Sequence, residues 1–204
     1  HKKNNFKMIK RIFDIFFSSF ALLIFSPFFL IIALAIIFDS QGGVFFLQER
    51  VGYKLKKFKI IKFRTMYISK EKNKTLLTIS NDTRITKVGS FLRRFKIDEI
   101  PQLVNVLKGE MSFVGPRPEV SKYVNFYPKK SIELIFKVKP GITDMASIRF
   151  SNESELLLNS NNPESYYKNY ILPEKIKYYE KYAESNSIFL DILIILKTFL
   201  KIFK

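Results

Sequence analysis

The chain of 204 residues has no cysteine, and its only histidine is His1 at the extreme N-terminus. Cys-His nucleophiles, thiolate zinc sites and redox dithiols are therefore excluded, and histidine base chemistry nearly so. An enzyme made from this sequence draws its nucleophile or base from carboxylates. Even these are scarce, with 18 Asp and Glu against 35 Lys and Arg, a formal net charge of +17. The missing cysteine is compatible with a reducing cytoplasm.

Apolar residues are plentiful. They make up 47% of the chain, 22 of them phenylalanine. Basic proteins that bind nucleic acid in solution rarely carry such a surplus. Basicity combined with phenylalanine suits a surface pressed against anionic lipid headgroups. It also suits a polyanionic substrate such as a nucleotide diphosphate. The length allows one modest core, so one globular domain with attachments is expected.

Ile12 to Phe38 is an almost unbroken apolar run with Asp14 near its start. As a helix it would reach roughly 40 Å, more than a hydrocarbon core requires. Ser26-Pro27 interrupts it, and a proline removes a helical hydrogen bond. The halves on either side would extend only about 15–20 Å, each too short to span. Both flanks are basic, with Lys2, Lys3, Lys7, Lys10 and Arg11 before the run and Arg50, Lys54, Lys56, Lys57, Lys59 and Lys62 after it. Positive flanks favour the cytoplasmic side, so the two ends compete for one side. A broken helix that enters and returns satisfies both, with the Ser26 hydroxyl serving a carbonyl freed by Pro27. The alternative is an ordinary kinked transmembrane helix. A cleaved signal peptide would be shorter and followed by a small-residue site.

Residues 39–43 read as a turn leaving that segment. Val44–Leu47 and Phe58–Phe63 are strand formers around Gly52-Tyr53-Lys54, which predicts a hairpin. Residues 69–84 read as a polar loop. Helical spacing recurs through Val88, Phe91, Leu92 and Phe95, and again through Ile100, Leu103, Val104 and Leu107, with Gly109 as a stop. A short helix is expected around Val120–Tyr127, loops at Pro140-Gly141 and Asn159–Pro163, and a helix through Pro173–Ala183. Ile188–Lys204 is amphipathic, with Asp191, Lys197, Thr198, Lys201 and Lys204 on its polar side. It fits a helix in the membrane interface plane, or equally one packed on the core.

The candidate chemistry lies in residues 96–119. Asp98-Glu99 precedes Pro101, a first-turn residue, so the pair sits near a helix N-terminus. It could simply cap that helix. Alternatively Asp98 attacks phosphorus and Glu99 holds a divalent cation, Mg²⁺ preferring hard oxygen ligands. Arg117, between Pro116 and Pro118, presents a planar fork of donors from a stiff loop and matches phosphate oxygens. A structural turn with a solvated arginine is the rival reading. Arg93 and Arg94 could pair with the acids or hold phosphate. Lys62 and Arg64 could do the same or face headgroups.

Together these motifs resemble the bacterial sugar transferases, the monotopic phosphoglycosyl transferases of cell-surface glycan assembly. The matching segments are KRIFD at 10–14, Ser26-Pro27, FxxQERVG at 45–52, KFRTM at 62–66, DTRITKVGSFLR at 82–93, DEIPQLVNVLKGEMSFVGPRP at 98–118, KPGIT at 139–143 and YYEKYAESNSIFLDILIILKT at 178–198. They cover nearly the whole chain, and the length resembles the family's minimal catalytic form. The resemblance implies transfer of a sugar 1-phosphate from a UDP-sugar to polyprenol (undecaprenyl) phosphate, with UMP released and Mg²⁺ required. It makes Asp98 the nucleophile of a covalent phosphosugar intermediate, with Glu99 beside it and both near the metal. Arg93, Arg117 and Lys62 would steady phosphates, and Arg149 would help bind the donor. The implied location is the cytoplasmic face of a bacterial inner membrane. Two departures stand out: Asp144 follows GIT where many members have glycine, and Tyr178-Tyr179 lies where many place an aspartate.

The expected fold is therefore α+β and mainly helical. A broken, re-entrant N-terminal membrane helix forms residues 1–40, and a catalytic domain with a small β-hairpin and a C-terminal interfacial helix forms residues 41–204. Rival readings are a non-catalytic basic module on the membrane surface and a nucleic-acid binder that stacks bases on aromatics. The second explains neither the apolar run nor the Asp-Glu pair, so nucleic acid is not an expected partner.

Overall fold

The computed structural model describes residues 2–68 and 77–202. His1, Lys204 and part of the expected 69–84 loop lie outside the described residues. The architecture is mainly helical, as expected, with two small two-stranded sheets.

Helix α1 runs Lys2–Asp39 and is long and apolar enough to cross a membrane, with almost none of that stretch buried. Helical geometry continues through Pro27 instead of stopping there, so the expected half-helices form one element. The local reason is visible. Pro27 leaves the Leu23 carbonyl without its backbone donor, and the Ser26 hydroxyl donates to that same carbonyl at 2.8 Å. Residues 23–28 are all exposed, and six consecutive exposed residues leave no face of the helix covered.

Both ends of α1 are nonetheless bound to one body. At the first end, the Arg11 guanidinium donates to the carbonyls of Val106 and Leu107 at 2.6 and 2.7 Å. Asp14 accepts from Ser112 Oγ and the Phe113 amide. Lys10 donates to the Val114 carbonyl and pairs with buried Asp191, which also accepts from Tyr182 at 2.6 Å. At the far end, Ile36 packs with Phe63 and Leu92. There the buried Arg64 donates to the carbonyls of Ser40, Gln41 and Gly43 and to the Ser40 hydroxyl, pinning the turn that follows the helix, and it reaches the helix itself at the Ile36 carbonyl, 3.4 Å away. Arg64 is thus a clasp for α1 and faces neither phosphate nor headgroups.

Strands β1 (Phe45–Val51) and β2 (Lys57–Phe63) form the expected antiparallel hairpin. Helix α2 (Lys87–Arg94) follows, then α3 (Gln102–Lys108), which ends at Gly109 with φ 83°. Asn105 of α3 bonds the β2 backbone through both ends of its amide, to the Ile61 amide and the Lys59 carbonyl. Strand β3 (Ser112–Val114) and short helices α4 (Ser121–Val124) and α5 (Lys129–Ile135) come next. Strand β4 (Gly141–Thr143) pairs in parallel with β3, where only a loop was expected at Pro140-Gly141. The pairing needs glycine: a Cβ at Gly115 would meet the Lys139 carbonyl oxygen at 2.3 Å. Helices α6 (Met145–Arg149), α7 (Glu153–Leu158) and α8 (Pro163–Tyr166) lead through a π-turn into α9 (Leu172–Ser185). Tyr123, Tyr127, Tyr167 and Tyr179 sit in the core they enclose.

Helix α10 (Ile188–Ile202) packs on the domain core with part of its apolar surface left exposed. Ile194 is fully buried against Val114 and Tyr182, while Phe189, Leu196, Phe199 and Leu200 are exposed. Asp191, expected on the polar side, faces inward because it neutralises Lys10.

Candidate active site

Asp98 and Glu99 lie in a 3-10 turn, Ile97–Glu99, between α2 and α3. Lys96 adopts a left-handed conformation, φ 57°, to turn the chain out of α2 and into it. The N-cap of α3 is Pro101, and no side chain caps it. The capping role that rivalled chemistry is therefore not what these acids do. Both are buried.

Their surroundings differ sharply. Glu99 Oε1 accepts from Lys62 Nζ at 2.7 Å and from one terminal nitrogen of Arg117 at 2.5 Å, while the other nitrogen lies 3.4 Å from Oε2. Burial alone would raise this carboxyl, but Arg117 and then Lys62 hold it well below the usual range. Lys62 stands two residues after Ile60 on the core-facing side of β2, so strand alternation delivers its amine inward. Burial pushes that amine down, against the pull of Glu99.

Asp98 has no such grip. Its Oδ1 is buried and, among the described residues, lacks a hydrogen-bond partner. Burial first, and the Glu99 charge second, push the carboxyl up, with Lys62, Arg93 and Lys96 pulling the other way. Arg93 is oriented by Thr65, whose hydroxyl accepts from its Nε at 2.8 Å. Arg94 points outward over the Phe95 ring. One acid is thus fixed and ionised, and its neighbour is an unbonded oxygen facing cations.

Arg117 departs from the region of β3 on its proline-bracketed loop and joins the dyad, as the solvated-arginine reading did not expect. Behind it lies a polar network that sequence reasoning missed. Arg50 donates to the Pro118 carbonyl and to Gln48 Oε1. Buried Glu119 accepts from Tyr167 at 3.0 Å. Buried Lys175 pairs with Glu153. The juxtaposition of QER at 48–50 with the acid after PRP was a faint signal for this network, since Val51 and Glu119 bridge directly. Asp144 is buried and caps α6, accepting from the Ser147 amide and hydroxyl at 2.9 and 2.5 Å. Tyr179 fills the core with its hydroxyl unpartnered. Arg149 is exposed at the end of α6 and makes no hydrogen bond or ion pair among the described residues.

No cluster of three or more acidic or histidine ligands occurs among the described residues. A divalent cation here would lean on Asp98 Oδ1 and on Glu99 Oε2, and take its other ligands from water and substrate phosphates. Mg²⁺ is commonly bound in that way. The hard, partly unpartnered oxygens fit it.

The family model described as bacterial sugar transferase matches residues 5–204. A UDP-glucose:undecaprenyl-phosphate glucose-1-phosphate transferase of Klebsiella pneumoniae is 39% identical over 98% of this chain and 41% of its own length. The exopolysaccharide production protein ExoY of Rhizobium meliloti is 34% identical over 94% of this chain and 84% of its own. A further glucose-1-phosphate transferase, from Escherichia coli, is 37% identical over 97% and 40%. The chain spans about two fifths of the length of the two glucose-1-phosphate transferases. With a match over almost its entire length, the chain belongs to the bacterial sugar transferase family.

Proposed function

We propose that the chain is a phosphoglycosyl transferase that moves a sugar 1-phosphate from a UDP-sugar to undecaprenyl phosphate. The observation that carries this reading is the inequality of the dyad: a buried, unbonded Asp98 oxygen beside a Glu99 held ionised by two cations. The relatives from Klebsiella and Escherichia are named for that reaction with glucose, and one from Aeromonas hydrophila for N-acetylgalactosamine. Such a pairing of a soluble donor with a lipid acceptor fits a catalytic unit carrying a long exposed apolar helix.

In the first step an Asp98 oxygen attacks the phosphorus that bears the sugar, and the bond from that phosphorus to the UMP oxygen breaks. UMP leaves, and the sugar phosphate is esterified to Asp98. In the second step a phosphate oxygen of the acceptor attacks the same phosphorus and expels the Asp98 carboxylate. The product is an undecaprenyl diphosphate sugar. Splitting the transfer in this way lets two large substrates react one after the other. Arg117, Lys62 and Arg93 stabilise the phosphate charge, which is where preorganised cations lower a barrier most. Mg²⁺ held by Asp98 and Glu99 would neutralise the diphosphate. Arg149 would contribute to donor binding. The reaction is placed at the cytoplasmic face of the inner membrane, with α1 entering and leaving the same leaflet.

The test mixes purified protein, Mg²⁺, undecaprenyl phosphate and a panel of UDP-sugars, and measures UMP. Wild-type protein should release UMP with at least one donor and lose activity with EDTA. Donor alone should leave a sugar-phosphate adduct on Asp98 by mass spectrometry. No UMP with any donor, or full activity in Asp98→Asn, sinks the proposal.

A further inference from the structure

The Asn-rich segment between α7 and α8 forms one wall of an open pocket of about 340 Å³. Asn159, Asn161, Asn162 and Ser165 line it together with Tyr166 and Tyr170. The two tyrosine rings lie 5.1 Å apart and tilted by 32°, with Tyr170 64% exposed. Leu156 contributes an apolar floor.

Two features separate this pocket from an ordinary solvated loop. First, its amides are mostly unspent. Asn162 Oδ1 caps α8 through the Ser165 amide, but the side chains of Asn159 and Asn161 make no hydrogen bond among the described residues. Second, no charged side chain lines it, in a chain with 35 Lys and Arg. Glu164, next to Ser165 in the chain, is spent on Lys122 and Lys168 at 2.6 and 2.9 Å.

A pocket without charge offers nothing to a phosphate. Carboxamides donate and accept together, which matches hydroxyl groups that do the same. An aromatic wall with a few placed polar groups is the usual make-up of a small-ligand site, and a pyranose presents an apolar face to such a wall. We propose that this pocket binds a neutral saccharide. The site is close in the chain to the dyad's support. Tyr167, next to Tyr166, turns inward and donates to Glu119, two residues past Arg117. The saccharide is either the sugar of the donor or a second, independent glycan.

The test is saturation-transfer NMR on the full chain in detergent, with glucose, galactose, their N-acetylamino forms and the corresponding disaccharides. Wild-type protein and Asp98→Asn, which leaves the pocket untouched, should both transfer saturation to ring protons of at least one sugar. Tyr170→Ala and Asn161→Ala, both at exposed positions, should bind about tenfold more weakly, the scale set by losing one aromatic or amide contact at a binding site. Excess UDP-sugar then separates the sources. Loss of the signal identifies the donor's sugar, and persistence identifies a second saccharide. No transfer to any sugar, or equal transfer in both variants and wild type, overturns the proposal. Because Asp98→Asn serves as a binding-competent control, failure here is distinct from failure of the transferase reading.

Discussion

Arg117 holds Glu99 with both terminal guanidinium nitrogens, at 2.5 Å to Oε1 and 3.4 Å to Oε2. The contact leaves Glu99 fixed in place and charged, while the adjacent Asp98 keeps a buried Oδ1 with no hydrogen-bond partner among the described residues. Two neighbouring carboxylates are thereby given different work by environment alone.

Asp98→Asn should abolish UMP release and stabilise the protein near neutral pH. Burial, and then the Glu99 charge, raise the Asp98 carboxyl above its ordinary 3.8. The folded state therefore keeps this proton longer than the unfolded chain does. Stability contributed by the protonated group is complete below 3.8 and is lost as pH rises through the folded value. Asparagine never ionises, so it avoids that loss. Thermal scans should show a higher melting temperature at neutral pH, by roughly 2–4 °C for each kcal/mol recovered in a chain of this size. The two proteins should converge in acid. A variant less stable than wild type at neutral pH would contradict the assignment of Asp98 as a strained, reactive acid.

Glu99→Gln should act in the opposite direction. Glu99 is held well below 4.5, burial opposing and Arg117 with Lys62 prevailing. Its stabilising contribution is present above 4.5 and disappears as pH falls through the folded value. Glutamine would leave two half-buried cations, Lys62 and Arg117, without their counter-charge, at a cost of about 3 kcal/mol. Chemical denaturation at neutral pH should show that loss, and the gap from wild type should narrow in acid. A gap that stays constant down the pH scale would argue against the ion pair as its source.

How much of this was legible beforehand depended on the range of the interaction. The β1–β2 hairpin, the Gly109 stop and the helices α2, α3 and α9 follow from local periodicity and turn chemistry, and the structure has them. Ser26 serving the Leu23 carbonyl was also readable, because Pro27 dictates which carbonyl is freed. The parallel pairing of β3 with β4 joins residues 112–114 to 141–143, and three-residue strands leave no alternation to detect. Arg64 and Asp191 were misread for a related reason. Each looks like surface charge on its own segment and finds its partners far along the chain, Arg64 in residues 40–43 and Asp191 in Lys10 of α1. At the site, Asp98, Glu99, Arg117 and Lys62 could be singled out from their motifs, and the structure brings them together. Their unequal bonding was not, since it depends on β2, the 3-10 turn and the Pro116–Pro118 loop converging.

Arg117→Lys should fold and turn over poorly. An ammonium can replace the charge but not the planar two-nitrogen contact with Glu99, nor a bidentate hold on phosphate. Loss of one preorganised donor at developing charge typically costs about 10²–10³ in kcat. Steady-state kinetics should therefore place the defect mainly in kcat, with the melting temperature lowered less than in Glu99→Gln. Near-wild-type kcat in this variant would mean that Arg117 supports the dyad's structure without touching the phosphates.

The path of α1 can be tested with cysteines, because the chain has none of its own to add background. As a straight rod its 38 residues would measure about 57 Å, well beyond a hydrocarbon core of about 30 Å. A simple crossing would carry Arg11 and Ile36 to opposite sides of the membrane. Both, however, are bonded to or packed on one folded unit, Arg11 through Val106 and Leu107 and Ile36 through Phe63 and Leu92. The stretch around Ser26-Pro27, residues 23–28, is exposed on every face. Cysteines placed at the exposed Lys7 and Lys56 should therefore react with an impermeant maleimide from the same side of sealed vesicles. Pro27→Ala returns a backbone donor to the Leu23 carbonyl and favours a straighter helix, so a fraction of that variant should label from opposite sides. Opposite labelling in the otherwise unaltered chain would rule out a helix that enters and leaves one leaflet. It would also require either the Arg11 or the Ile36 contact to be broken in the bilayer.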